Sequence, residues 1–195
     1  MMPIFQSGCC EECRAAFADL FGSIFVETNE VNHGNPFTFK HLITNLKSTS
    51  AACECDNQKT MTAGASVSSL LVDYSPNVNN PVWEPVDLSG NDQYEIPQIP
   101  ADATEEDIYN VLFDDPGIYR ITALADGTNL VPERNENNNK AEINGSAKVY
   151  PNGMSYDGPG ILVFVKSKNG DFKRDLNDKT PPVVKITRIS SRLML

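Results

Sequence analysis

Apolar and polar residues alternate with a period of two along most of this chain. In 37–45, Phe37, Phe39, His41 and Ile43 fall on one side and Thr38, Lys40, Leu42 and Thr44 on the other, the pattern of a strand with one buried face. The stretch from Gly117 to Asp126 alternates in the same way, so Tyr119 or Ile121 is expected to point into a core. Further strands are expected at 24–28, 65–74, 107–113, 141–150, 161–168 and 183–189. The Asp114-Asp115-Pro116-Gly117 turn predicts a hairpin between 107–113 and the Gly117 strand. The polar loop 169–182 predicts a second, C-terminal hairpin from 161 to 189.

One segment breaks the period. Phe17, Leu20, Phe21 and Ile24 follow the i, i+3, i+4, i+7 spacing of a single helical face, with Glu11 and Glu12 at the end where a helix dipole favours acids. The expectation is a short amphipathic N-terminal helix over 9–24 with two readings: it packs on its own domain, or it docks on a neighbouring chain. Residues 1–23 are accordingly read as a helical docking segment, with Phe17, Leu20 and Phe21 as the partner-binding anchors. Residues 24–168 are read as a β-sandwich and 169–195 as a terminal strand or arm that extends a sheet or reaches a neighbour.

Turn chemistry fits a mainly β chain. Asp126-Gly127 offers a left-handed turn at low cost, and Pro132 with the Asn-rich run behind it keeps the backbone irregular until Ala141. Between Ser75 and Glu106, Pro76, Pro81, Pro85, Pro97 and Pro100 favour extended edges and loops over helix.

Gly117-Ile118-Tyr119, Ala125-Asp126, Val131-Pro132-Glu133, Asn135-Glu136 and Asn137-Asn138 together resemble the signature of the cell-adhesion-related domain of bacteria, CARDB, an immunoglobulin-like module. Shorter matches lie upstream at Phe37-Thr38-Phe39, Asp73-Tyr74-Ser75, Ile96-Pro97-Gln98-Ile99-Pro100 and Asp115-Pro116-Gly117, so the resemblance runs from about Asn35 to Tyr150. It implies an immunoglobulin-like antiparallel β-sandwich and a binding habit, and it implies no enzymatic reaction.

A net charge of −10 argues against a nucleic-acid grip, which needs a concentrated basic face. No apolar run approaches the roughly 20 residues of a membrane helix. The first ten residues lack the basic and apolar regions of a secretion signal, so synthesis in the cytoplasm and assembly into a virion or phage-tail-like particle is the leading expectation. The partners are then other protein subunits or further copies of the chain. The alternative is a secreted adhesion or carbohydrate-binding module, in which Trp83, the only tryptophan, stacks on a sugar ring; otherwise Trp83 plugs a loop onto the sandwich.

Cys9, Cys10, Cys13, Cys53 and Cys55 cluster towards the start. Cys10 and Cys13 have knuckle spacing, and Cys53 with Cys55 could complete a four-thiolate zinc site; disulfides and reduced structural thiols are the rivals. Asp126, Asn129, Glu133, Asn135 and Glu136 offer hard oxygens suited to calcium, while Asx side chains also bond local backbone in turns. No cofactor is required by either reading. His33 and His41 lack a catalytic frame, and the chain carries no P-loop, dinucleotide fingerprint, Gly-x-Ser-x-Gly elbow or His-Glu-x-x-His, so no enzyme is expected.

Overall fold

The computed structural model describes residues 18–46, 61–133, 135–143, 155–158, 160–175 and 177–195. These residues form β1 (Leu20–Phe25), β2 (Glu30–Asn32), β3 (Phe37–Asn45), β4 (Ser66–Ser75), β5 (Glu84–Pro85), β6 (Gln93–Ile96), β7 (Thr104–Phe113), β8 (Gly117–Leu124), β9 (Glu142–Ile143), β10 (Ile161–Lys166) and β11 (Val184–Met194). One sheet runs β11-β7-β3-β1-β9 and the other β2-β10-β8-β4-β5, with β6 also on β4. Most pairings are antiparallel. The β1–β9 and β10–β2 pairs are parallel, so the sandwich is mixed at its margins.

The period-two pattern explains the main core. Phe37, Phe39, Tyr109, Val111 and Phe113 of the first sheet meet Val72, Tyr74, Tyr119, Ile121 and Val163 of the second. Tyr119 and Ile121 are both buried, as expected of residues two apart on one face. Phe113 and Tyr119 pack with ring centroids 4.4 Å apart, and the Tyr119 hydroxyl donates to the Asp115 carbonyl at 3.0 Å. That bond ties the strand back to the turn that precedes it, as the tyrosine corner does in immunoglobulin-like sandwiches.

The run Ile161-Leu162-Val163-Phe164-Val165 is apolar on both faces because both are covered. Ile161, Val163 and Val165 enter the main core, while Leu162 and Phe164 join Ile118, Val78 and Tyr156 in a cluster on the other side of the sheet. A further cluster fills one end of the sandwich, where Leu20 and Ile43 meet Ala63, Ile96, Ile99 and Val131.

Three expectations are corrected. Residues 20–25 are a strand: Leu20 pairs with Asn45 and Phe25 with Lys40 along β3. Leu20 and Ile24 satisfy a period of two as well as a helical spacing, and the open edge of β3 selects the strand. The first part of the expected helix over 9–24, from Cys9 to Phe17, lies outside the described residues. Second, β7 and β8 form no hairpin, because the Asp114–Pro116 turn carries the chain from one sheet to the other. Third, β10 and β11 form no terminal hairpin. They also lie in different sheets, and β11 runs antiparallel to β7 through ten registered pairs, interrupted by an irregularity between Arg188 and Ser190. The C-terminal strand therefore belongs to the sandwich.

Candidate functional site: the acidic corner after β8

After Leu124 the chain must leave the second sheet and reach β9 in the first. Asp126 and Gly127 make the turn, and Gly127 is required there because a Cβ would sit 2.0 Å from the Ser69 Oγ. Asn129 adopts a left-handed φ of 54°, a conformation asparagine tolerates better than most residues, and its N–H donates to the Asp126 carbonyl at 3.0 Å. The Asp126 Oδ2 accepts from the Val131 N–H at 2.7 Å, closing the loop over the buried Val131 side chain.

Glu133 then fastens the corner to the first sheet. Its Oε2 accepts from the Leu20 N–H at 2.6 Å, and Glu133 bridges Ala18 in parallel. Its own N–H donates to Glu136 Oε1 at 2.9 Å. Asn138 Nδ2 donates to Asp19 Oδ1 at 2.8 Å, and the Ala125 N–H donates to the Asn139 carbonyl at 2.8 Å. Burial pushes the Glu133 carboxyl up to about 7; the Leu20 amide and Asn139 oppose the shift, and the negative charges of Glu136 and Asp126 add to it.

A second polar group lies between the sheets. His41 and Asp107 face each other in the β3–β7 register, and both are fully buried. Ser68 Oγ lies 3.1 Å from His41 Nδ1, the Tyr109 hydroxyl donates to Asp107 Oδ2 at 3.1 Å, and Arg188 Nη1 reaches Asp107 Oδ1 at 3.5 Å. Desolvation lowers the His41 pKa to about 3, so the ring is neutral at pH 7. Burial raises the Asp107 carboxyl, while Arg188 holds it down. With His41 and Asp107 both out of contact with solvent, the group is interior packing.

Of the residues singled out from the sequence, Phe17, Cys9, Cys10, Cys13, Cys53 and Cys55 lie outside the described residues. Leu20 is buried in its own domain's end cluster, and Phe21 is half-buried opposite Thr44. Trp83 is half-buried against the outer cluster, with the Arg120 guanidinium over its ring at 4.8 Å from the centroid. In the corner, Asp126 and Glu133 are buried, whereas Asn135 caps the Asn137 N–H at 3.1 Å and Glu136 serves the backbone of Glu133. Sequence reasoning missed Asp19, Asn138 and Asn139. The Asn run was the available signal, but nothing in its spacing separates the buried Asn139 from its exposed neighbours. Among the described residues, no three His, Cys, Asp or Glu side chains gather as a metal-binding group.

The corner is where the sequence signature lies, and the CARDB family model matches residues 17–143, well over half of the chain and the whole of the corner. The chain belongs to the CARDB family. Solved CARDB domains are among the structures to which it is similar. One is a crystal structure from Pyrococcus furiosus described as a complex with di-metal ions, at 17% identity and a TM-score of 0.48, covering 76% of this chain and 89% of that one. Another is a solution structure of the CARDB domain of the same Pyrococcus furiosus protein, at 15% identity and a TM-score of 0.44, covering 77% of this chain and 97% of that one. A beta-glucosidase from Listeria innocua in complex with isofagomine matches at 12% identity and a TM-score of 0.36, over 66% of this chain and 16% of the enzyme. No curated protein matches the chain. CARDB membership makes this an adhesion-related β module.

Proposed function

We propose that this CARDB domain is a non-catalytic interaction module that lends a protein-binding surface to a larger assembly. The observation that carries the reading is the edge of the first sheet. One side of β11 is fixed to β7 through ten registered pairs, and β11 is the last strand in the order of its sheet, so its other side has no strand partner among the described residues. Ile189 and Leu193 are exposed along it. An edge strand takes up an added strand through backbone hydrogen bonds, and alternate side chains supply selectivity. Of the basic residues on this strand, Arg188 is held by Asp107 and Arg192 by Glu106, which leaves the exposed Lys185 to favour an acidic group on the partner beside its apolar contacts. The family supports an adhesion-related setting in preference to a virion or tail-like particle. The burial of Leu20 in its own core moves the proposed contact away from the first strand and towards β11.

Hydrogen exchange on the full chain, alone and within its native assembly, tests the reading. Amides of β11 that face away from β7 should exchange more slowly in the assembly, while those of β4 and β8 stay unchanged. Unaltered exchange throughout β11 would remove this edge as the binding surface.

A further inference from the structure

The corner holds more acceptors than its donors serve. Asp126 Oδ1, Glu133 Oε1, Asn138 Oδ1 and Asn139 Oδ1 are all buried, and none has a hydrogen-bond partner. Asp126, Glu133 and Asn139 are each at least nine-tenths buried. Their side chains act on one another: the Asn139 amide hydrogen-bonds the Glu133 carboxyl and the Asp126 charge opposes its ionisation. Among the described residues, no lysine or arginine pairs with either carboxylate.

An unpaired buried acceptor costs about 1–3 kcal/mol, more when charged, so four of them in one corner call for further donors or a cation. A proton on Glu133 would serve one oxygen, and a buried water has two hydrogens to give. A hard divalent cation accepts several oxygens at once and balances two carboxylates in charge. We infer that the corner is a calcium site, with Asp126 and Glu133 as its anionic ligands and the Asn138 and Asn139 amide oxygens as neutral ones. All four donors are hard oxygens, and calcium completes its shell with backbone carbonyls or water. Asn129, Asn135 and Glu136 lie outside this set. Asn129 shapes the turn, and the side-chain oxygens of Asn135 and Glu136 already accept from backbone N–H groups.

The site joins the two sheets. Asp126 lies just past the end of β8, Glu133 is bonded to the first residue of β1, and Asn138 and Asn139 lead into β9. Calcium would therefore clamp the crossing between the sheets and raise the stability of the whole sandwich by mass action.

The test is calorimetric titration of chelator-treated full chain with calcium chloride, paired with thermal melts at about 1 mM calcium, the weak end of extracellular calcium modules. One calcium per chain and a rise in melting temperature are expected. Asp126→Asn and Glu133→Gln should each weaken binding about tenfold or more, and Asn139→Asp should tighten it, because added ligand charge raises affinity. Asp87→Asn, at an exposed carboxylate elsewhere, should change nothing and so controls for the acidity of the protein at large. Absence of both heat and melt shift in the wild type would overturn the assignment, as would unchanged calcium affinity in Asp126→Asn and Glu133→Gln. Should those two variants lose their β circular dichroism, Asn139→Asp and Asn139→Ala decide: affinity must move in opposite directions, and no movement rejects the site.

Discussion

The polar seam around His41 and the acidic corner around Glu133 both bury carboxylates, yet they are furnished differently. In the seam Asp107 receives the hydroxyl of Tyr109, two residues along the same face of its own strand, and the Arg188 guanidinium from the neighbouring β11. In the corner the backbone N–H groups of Leu20 and Val131 each serve one carboxylate oxygen, and the second oxygen of each carboxylate has no partner. Strands present side chains to one another at fixed intervals, so a buried charge on a strand can be met by a neighbour. A loop crossing between sheets meets backbone ends, and these supply few donors to spare. Both oxygens of the Asp107 carboxylate are met and the neutral His41 Nε2 is the seam atom left without a partner, whereas each corner carboxylate keeps one charged oxygen unserved, as Glu105 does on β7.

The largest effect expected is from breaking the seam. Arg188→Ala leaves Asp107 buried without its cation and should cost on the order of 3 kcal/mol in urea unfolding. A cost below about 0.5 kcal/mol would show that water already reaches Asp107 and would erase the contrast. Next comes Asn45→Ala at the corner's end of the sandwich. Asn45 donates to the Met61 and Ile99 carbonyls at 2.9 Å each and accepts from the Asp19 N–H at 3.2 Å, so its removal should cost about 2 kcal/mol through orphaned backbone groups. Equal stability would mean that water replaces the side chain and that this end of the molecule is looser than its burial suggests.

The pH dependence sharpens the comparison further. Because His41 is held neutral in the fold at a pKa of about 3 against an ordinary 6.5, its contribution is complete above pH 6.5 and declines as the pH falls towards 3. His41→Gln should flatten that acid limb in urea midpoints taken between pH 7 and pH 4. An identical limb in the variant would assign acid sensitivity to the carboxylates instead. The smallest effect provides a scale for the others: Tyr119→Phe removes one neutral hydrogen bond to the Asp115 carbonyl and should cost about 1 kcal/mol by thermal melt.

The alternation of Phe37, Phe39, His41 and Ile43, and of Tyr119 with Ile121, was readable because both strands bury one face against the opposite sheet. Three features were hidden for identifiable reasons. Leu20 and Ile24 fit two periods, and only the availability of β3 as a partner chooses between them. A connection looks alike whether it joins neighbours in one sheet or steps to the other, so neither the short turn from β7 to β8 nor the long polar loop from β10 to β11 reveals in sequence that it changes sheets. In the corner, residue type revealed hard oxygens, but the choice of Asp126, Glu133 and Asn139 over Asn129, Asn135 and Glu136 depends on which side chains the fold encloses. Period and composition carry no information about enclosure in a loop.

The parallel pairing of β10 with β2 sets Phe164 beside Glu30 and Val165 beside Val31, strands that almost the whole described sandwich separates in sequence. Before that pair rewards the chain with a single hydrogen bond, the ends of a very long loop must find each other, and β3 must likewise wait for β7. A β-rich topology dominated by such distant pairings places folding in the range of about milliseconds to seconds, slow for a domain of this size. During that interval β3 and β7 display unpaired edges rich in aromatic residues, and the nascent chain is most vulnerable to aggregation while its farthest strands are still apart.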